Sequence, residues 1–253
     1  ARIAETMERL NNIFSGKATR NAAGVNTGIQ FVLAQYNPAG ELMDEPGINR
    51  VTVEEVTEGT PPDKYHRFLS QNNAIWPHEK YLNIWLMSET KYPKFWNSIT
   101  KLCVPKYRLG SETLPGLSLP PVPSTWVPKV EQIGILFRMS TFQYFQRSID
   151  ATAERELVTC IGNYLGLLDT WKINNSNVND QCNDTFAYGI VNNNGSLGTN
   201  SSWSKEVGSY RFLSENIMDD PTGTHRSVSK DQALRMYWVL KNCAGRSMWQ
   251  SDF

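Results

Sequence analysis

The sequence predicts an α+β fold, and three observations carry this prediction. Apolar residues recur at helical spacing near the N-terminus and again over residues 146–168, which predicts two long helices. Between them, residues 81–87 form a nearly continuous apolar run, typical of a strand that a sheet covers on both faces. A further helix with its own start signal lies near the C-terminus. The chain therefore combines long helices with a strand-bearing middle.

The first part of the chain is predicted to contain one helix and two strands. The helix is amphipathic, because apolar side chains share one face between charged positions. These apolar side chains are Ile3, Met7, Leu10 and Phe14. Residues 29–34 form a β-rich run that ends at a turn signal in residues 37–40, and a second strand is expected within residues 48–56.

The middle of the chain is predicted to supply the rest of the sheet and a central helix. Strands are expected at residues 81–87 and 132–138. Between them, residues 114–128 contain five prolines and a glycine, so a surface loop or lid is expected there. The helix over residues 146–168 should stop near Gly166, since glycine is the usual residue at a helix C-terminus.

The C-terminal part is predicted to be irregular before it ends in a helix. Residues 174–204 are rich in Asn, Ser and Gly, which predicts an extended segment without regular structure. Ser229 and Gln232 then form an S-x-x-Q capping box, which marks the start of the last helix.

Charge and cysteine content exclude several classes of protein. The 253 residues carry 25 Lys+Arg against 25 Asp+Glu, a balance that argues against a binder of nucleic acid or anionic lipid. With 40% hydrophobic residues the chain can fill a sizeable core. No apolar stretch approaches the ~20 residues that span a bilayer. The four cysteines show no zinc-finger spacing, which leaves one or two disulfides or buried free thiols as alternatives.

Several separated segments, taken in order, resemble the pappalysin family of zinc metalloendopeptidases in the metzincin clan. The W-x-x-x-x-Y-L-N-I-W segment at residues 76–85 is the most specific match. The others are L-N-x-x-F at 10–14, I-x-F-x-L-A at 29–34, P-G-I-N-R at 46–50, D-x-x-x-D-T at 180–185, N-I-M-D at 216–219 and Q-x-x-R-M at 232–236. The resemblance covers most of the chain.

The resemblance implies a single metzincin-like (zincin) domain over residues 1–253. Residues 1–167 would form an N-terminal subdomain, in which a twisted mixed sheet is backed by two long helices. Residues 168–253 would form an irregular C-terminal subdomain that contains a Met-turn at Met218 and the terminal helix. In the family the Met-turn lies beneath the metal, although Met218 can equally be a core residue packed beneath a helix.

The family's zinc-binding motif is degenerate in this sequence. H-E-x-x-H-x-x-G-x-x-H brings three imidazoles to one zinc ion and places a glutamate as the general base. The matching positions hold Thr159, Cys160, Asn163 and Asp169, and Asp220 stands where the family often has a tyrosine that helps stabilise the transition state. Hydroxyl and amide oxygens are poor zinc ligands beside imidazole, so we expect zinc to be absent.

Other chemistry remains open at and around the motif. Cys160 is either a nucleophile or a small buried residue that replaces the glutamate, and a nucleophile would need a nearby base. The three histidines of the chain, His66, His78 and His225, could form a relocated zinc site, but they lie in loop-like contexts at unrelated spacings. Asp169 and Asp220 are expected to face one another in a polar network with Thr159 and Asn163.

The resemblance also raises the possibility of a calcium site. Some relatives use the D-T loop to hold calcium, and hard cations prefer oxygen ligands. The candidate ligands are Asp180, Asp184 and Asp219, which could equally be solvated acidic residues of loops.

The function that follows is that of a catalytically inactive peptidase homologue with a cleft for a peptide or protein ligand. The alternatives are an active hydrolase with non-standard zinc ligands or with Cys160 as nucleophile, and a purely structural surface protein. Relatives with these segments resemble lipid-anchored surface proteins of Bacteroides-type gut bacteria. Secretion or a cell-surface location, with a lipid anchor upstream of the chain, is therefore expected from the resemblance.

Overall fold

The computed structural model describes residues 2–52, 69, 72–87, 101–104, 133–138, 152–173, 178–190, 204–207, 210–220, 223–242 and 248. Its helices are α1 (Arg2–Phe14), α2 (Thr152–Tyr164) and α3 (Lys230–Asn242). Its strands are β1 (Ile84–Met87), β2 (Lys101–Val104), β3 (Gly134–Arg138), β4 (Trp171–Ile173), β5 (Tyr188–Ile190), β6 (Ser204–Val207) and β7 (Tyr210–Leu213). Helices and strands thus occur together, as the α+β prediction requires.

The main sheet is mixed, as predicted. β3 lies in its centre, parallel to β1 and antiparallel to β2. The strand predicted at 132–138 is therefore confirmed as β3, and the one at 81–87 is confirmed in its second half as β1. Within the described strands β1 is at the edge of the sheet, not inside it. Trp85 of β1 is nevertheless buried, and its indole Nε1 donates to the carbonyl oxygen of Ala74 at 3.0 Å.

The strand predicted at residues 29–34 does not form. Asn11 of α1 takes the place of a neighbouring strand there, because its side-chain amide makes both hydrogen bonds to the main chain of Phe31, at 2.8 and 2.9 Å. Residues 48–52 also contain no strand, and 53–56 lie outside the described residues. The turn predicted at 37–40 is present, closed by a bond from Gly40 N to Asn37 O at 2.9 Å.

The central helix ends where glycine was expected to end it. Gly166 has φ +87°, and the helix closes with bonds from Gly166 N to Asn163 O at 3.0 Å and from Leu167 N to Gly162 O at 2.9 Å. This pair of bonds is a Schellman motif, which needs the left-handed conformation that glycine adopts without strain. Residues 146–151 of the prediction lie outside the described residues.

The C-terminal part is more regular than predicted. β5 lies within the segment expected to be irregular, and it pairs in parallel with β4, which follows α2 directly. β6 and β7 form a hairpin that the sequence did not indicate. The capping box is confirmed: Ser229 N donates to Gln232 Oε1 at 3.1 Å, and Gln232 N donates to Ser229 Oγ at 3.3 Å.

The core joins all three helices to the sheet. α2 lies against β2 and β3, and its buried side chains share one cluster with residues of α1, β3, α3 and the segment around Met218. The three-helix core accounts for the apolar periodicity of the sequence. None of the helices in the described ranges combines the length and apolar character that crossing a bilayer needs.

Candidate functional site

The site lies where one face of α2 meets a turn at Asn216–Asp219. Thr159 and Asn163 are four residues apart on α2, so they lie on the same face of the helix. The turn is closed by a bond from Asp219 N to Asn216 O at 3.1 Å. Gly162 permits the close approach, since a Cβ atom there would lie 2.5 Å from Met218 Sδ. Met218 is fully buried beneath the helix, as the packing interpretation predicted.

Thr159 is bound on two sides. Its hydroxyl oxygen lies 2.8 Å from the carbonyl oxygen of Ile217 and 2.9 Å from His225 Nδ1, and its single proton can be donated to only one of them at a time. His225 Nε2 lies 2.8 Å from the carbonyl oxygen of Asp220. A carbonyl oxygen only accepts, so His225 carries a proton on Nε2. Position 159, which the resemblance matches to the first zinc ligand, thus holds a hydroxyl that takes part in internal hydrogen bonds.

Asn163 turns its amide nitrogen toward Met218 and Asp169. Its Nδ2 lies 3.8 Å from Met218 Sδ and 3.4 Å from Asp169 Oδ1. Two sets of polar contacts are present: one runs from Asn163 to Asp169, and the other runs from Thr159 through His225 to the main chain of Asp220. Asp169 and Asp220 belong to different sets. That Asp169 and Asp220 face one another stays a prediction.

Tyr188 of β5 joins the two acids that follow Met218. Its hydroxyl lies within hydrogen-bond distance of Asp219 Oδ1 and, at 2.8 Å, of Asp220 Oδ2. Both acids are buried, with 1% and 2% of their surface exposed. Burial, together with the nearby carboxylates, raises the pKa of Tyr188, which keeps the phenol in the donor form that they require.

Sequence reasoning missed Tyr188 and the role of His225. Tyr188 carried no local signal, because it belongs to a segment whose composition predicted irregular structure. His225 lies in a loop, as expected, but it is buried in the site with φ +50°. His78 lies elsewhere, 3.1 Å from the exposed carboxylate of Glu79, and His66 is outside the described residues. The structure thus brings one histidine to the site and does not assemble the described ones around a metal.

Cys160 is fully buried in the hydrophobic core and forms no disulfide. This environment matches the interpretation of a small core residue and gives a nucleophile no access to substrate. Cys182 is also a buried free thiol, and burial raises its pKa above the ordinary value. The side chains of Cys103 and Cys243 lie outside the described part of the structure, so their pairing stays open.

The candidate calcium ligands lie in three separate hydrogen-bond networks. Asp180 accepts from the Thr185 hydroxyl at 2.5 Å, and burial raises its pKa. Asp184 accepts from the Ser229 hydroxyl at 2.7 Å and from Asp231 N at 2.9 Å, at the start of α3. Asp219 contacts the hydroxyl of Tyr188. Over the described ranges, no three His, Cys, Asp or Glu residues are grouped so that they could hold a metal ion. The calcium site stays a prediction.

The residues at the motif positions do not fit a catalytic zinc ion. Such an ion takes three strong protein ligands and a general base nearby. Here the Thr159 hydroxyl is held between a carbonyl oxygen and an imidazole, Asn163 directs N–H groups at its neighbours, and Cys160 lies in the core. Only Asp169 offers a carboxylate, which is partly exposed. The donor set therefore lacks both the ligands and the base of a zinc peptidase.

A polar pocket of about 180 Å³ opens beside the site. Thr170 and Asn216 line it, together with Phe186 and Glu215. Thr170 connects it to the turn, since its hydroxyl donates to the carbonyl oxygen of Met218 at 3.2 Å. Phe186 is half exposed and stacks on Tyr188 with ring centroids 6.2 Å apart. The pocket thus places an accessible aromatic ring and hydrogen-bonding groups next to the network.

No family model and no curated protein sequence matches the chain. Solved structures of mirolysin do match it. Mature mirolysin of Tannerella forsythia, solved with a cleaved peptide, matches with a TM-score of 0.66 at 19% identity over 98% of this chain and 87% of that one. Mirolysin in complex with compound 9 matches with a TM-score of 0.65 at 17% identity, over 98% of this chain and 88% of that one. A promirolysin mutant of Tannerella forsythia matches with a TM-score of 0.62 at 19% identity, over 98% of this chain and 77% of that one. The chain therefore has an α+β fold like that of mirolysin.

Proposed function

We propose that this chain is a catalytically inactive homologue of the pappalysin-type metallopeptidases whose cleft binds an extended peptide. The observation that carries the proposal is the set of hydrogen-bond contacts made by the Thr159 hydroxyl. A threonine hydroxyl is a poor zinc ligand beside imidazole, and this one is buried and held 2.8 Å from the carbonyl oxygen of Ile217 and 2.9 Å from the His225 imidazole.

The remaining motif positions support the same conclusion. The amide nitrogen of Asn163 is directed at Met218 and Asp169, so the second ligand position presents hydrogen-bond donors. The residue at the position of the general base, Cys160, is fully buried in the core and has no carboxylate with which to accept a proton from water. Ligands and base are thus replaced by groups that serve the fold.

The binding part of the proposal rests on the pocket beside the site. It combines the half-exposed ring of Phe186 with the polar side chains of Asn216 and Glu215. Small-molecule and peptide sites typically combine aromatic surface with a few placed polar groups. Mirolysin, which shares the fold, has been solved with a cleaved peptide. In line with the resemblance, the proposal includes secretion or display at the cell surface.

Zinc content and peptide cleavage test the catalytic part. We expect the purified protein to carry far less than one zinc per chain by inductively coupled plasma mass spectrometry, and to leave a generic peptide library intact. About one zinc per chain, with hydrolysis that a chelator abolishes, would overturn the proposal.

Peptide capture tests the binding part. The immobilised protein should retain a subset of a random peptide library, and Phe186→Ala should weaken that retention about tenfold, because an accessible aromatic anchor is lost. Leu234→Ala is the matched control, since Leu234 is similarly exposed but lies on α3. Equal retention by the Phe186 variant and the control would show that the pocket is not the binding site.

A further inference from the structure

We infer that His225 is a side-chain clamp that locks α2 to the segment after the Met218 turn, in the space that a metal ligand at position 159 would need. This role of His225 does not depend on peptide binding; it depends on the contacts of the imidazole ring. Only 3% of the His225 surface is exposed.

The clamp joins segments that are distant in sequence. Through Nδ1 the ring contacts Thr159 of α2, 66 residues away, and through Nε2 it donates to the carbonyl oxygen of Asp220. The Thr159 hydroxyl also lies 2.8 Å from Ile217 O, on the other side of Met218. The imidazole and the hydroxyl together therefore tie the helix to both sides of the turn.

The backbone around His225 indicates that the ring position matters. His225 has φ +50°, a conformation that L residues other than glycine rarely adopt. The neighbouring Gly223 leaves room for the ring, since a Cβ atom there would lie 3.0 Å from His225 Cδ2 and 3.1 Å from Nε2. An uncommon backbone conformation and a side-chain-free neighbour thus both accommodate the buried imidazole.

The clamp and a metal ligand at position 159 exclude each other. A side chain longer than threonine would have to pass His225 Nδ1, which lies 2.9 Å from Thr159 Oγ1. A metal ion holds helix and turn together through coordinate bonds, whereas here hydrogen bonds between side chain and main chain make that connection. The fold should therefore keep this junction closed without a metal.

Removal of the ring should leave a cavity that free imidazole fills. Glycine suits the backbone of position 225, so His225→Gly deletes the ring without adding strain. We expect this variant to be destabilised about tenfold or more in its unfolding equilibrium constant, because two buried hydrogen bonds are lost. If imidazole binds the cavity with a dissociation constant of about 1 mM, 100 mM imidazole should restore stability about 100-fold, up to the wild-type value. The assay is urea unfolding followed by circular dichroism.

Three controls separate the clamp from general effects. Imidazole should leave the wild-type protein unchanged. 1-Methylimidazole should rescue less, because its methyl group removes one of the two hydrogen-bond positions. Gln181→Gly, at another non-glycine residue with positive φ (64°), reports the effect of glycine alone and should not respond to imidazole. Absence of rescue in a folded His225→Gly variant would overturn the inference.

A second variant covers the case in which His225→Gly does not fold even with imidazole. Thr159→Val keeps the shape of the side chain and removes the hydroxyl that links Ile217 to the ring. We expect it to raise the unfolding equilibrium constant about fivefold or more and to shift the ¹⁵N resonance of His225 Nδ1. A change of less than about twofold, with an unchanged resonance, would mean that the clamp does not hold the junction.

Discussion

Replacing Gly162 with alanine should destabilise the protein, although alanine is the better helix former. In a helix interior glycine costs about 1 kcal/mol relative to alanine, so propensity alone predicts a gain. The new Cβ atom would lie 2.5 Å from Met218 Sδ, and Met218 is fully buried. Overpacking of this kind typically costs about 1–3 kcal/mol. The net result should be a loss of about 1 kcal/mol.

A double-mutant cycle separates the two contributions. Met218→Ala should itself cost about 3 kcal/mol, since it leaves a cavity in the core. In that background Gly162→Ala no longer meets the sulfur, so it should stabilise the helix by about 1 kcal/mol. The coupling free energy is then about 2 kcal/mol, measured by urea denaturation of the four proteins. Stabilisation by Gly162→Ala in the wild-type background would refute the close approach of α2 to the turn.

Three further substitutions probe the surroundings of the site. Tyr188→Phe should cost about 2–3 kcal/mol at neutral pH, because the buried carboxyl groups of Asp219 and Asp220 lose the hydroxyl proton that lies between them. Since the pKa of Tyr188 is raised in the folded protein, the stability advantage of the wild type should shrink as the pH rises above about 10. Burial also raises the pKa of Asp180, so the stability that its protonated side chain contributes is fully present below about pH 3.9 and is lost as the pH rises. The free energy of unfolding of the wild type relative to Asp180→Asn should therefore be greater at pH 3 than at pH 7. Ser229→Ala should cost about 1 kcal/mol through loss of the helix cap, whereas the exposed control Lys230→Ala should change stability by less than about 0.5 kcal/mol in urea titrations.

The helices could be predicted because their signals are local. Spacing of apolar residues identified α1 and α3, and the glycine at position 166 marked the end of α2 within a few residues. The strands were harder, because a β-rich run becomes a strand only if a partner is available. Residues 29–34 have the composition of a strand, but their main chain is bound by the side chain of Asn11 instead.

The sequence shows which residue types stand at the candidate site, but it does not show which partners their side chains contact. The residue types at Thr159, Cys160 and Asn163 suffice to exclude a three-histidine zinc site, whatever the fold. The sequence does not show which residues contact these three side chains in the folded protein. Thr159 contacts His225, a loop residue 66 positions further along the chain, whose ring reaches the main chain of Asp220.

By itself, the sequence determined the three helices, the capping box of α3 and the helix stop at Gly166. Tertiary structure alone decided that His225 would meet Thr159 across 66 residues, and that Tyr188 would meet the buried acids 31 and 32 residues further on. The physical reason is the range of the interactions. Caps, stops and amphipathic faces depend on neighbours within a few residues, whereas these polar contacts exist only because the packed core brings distant segments together.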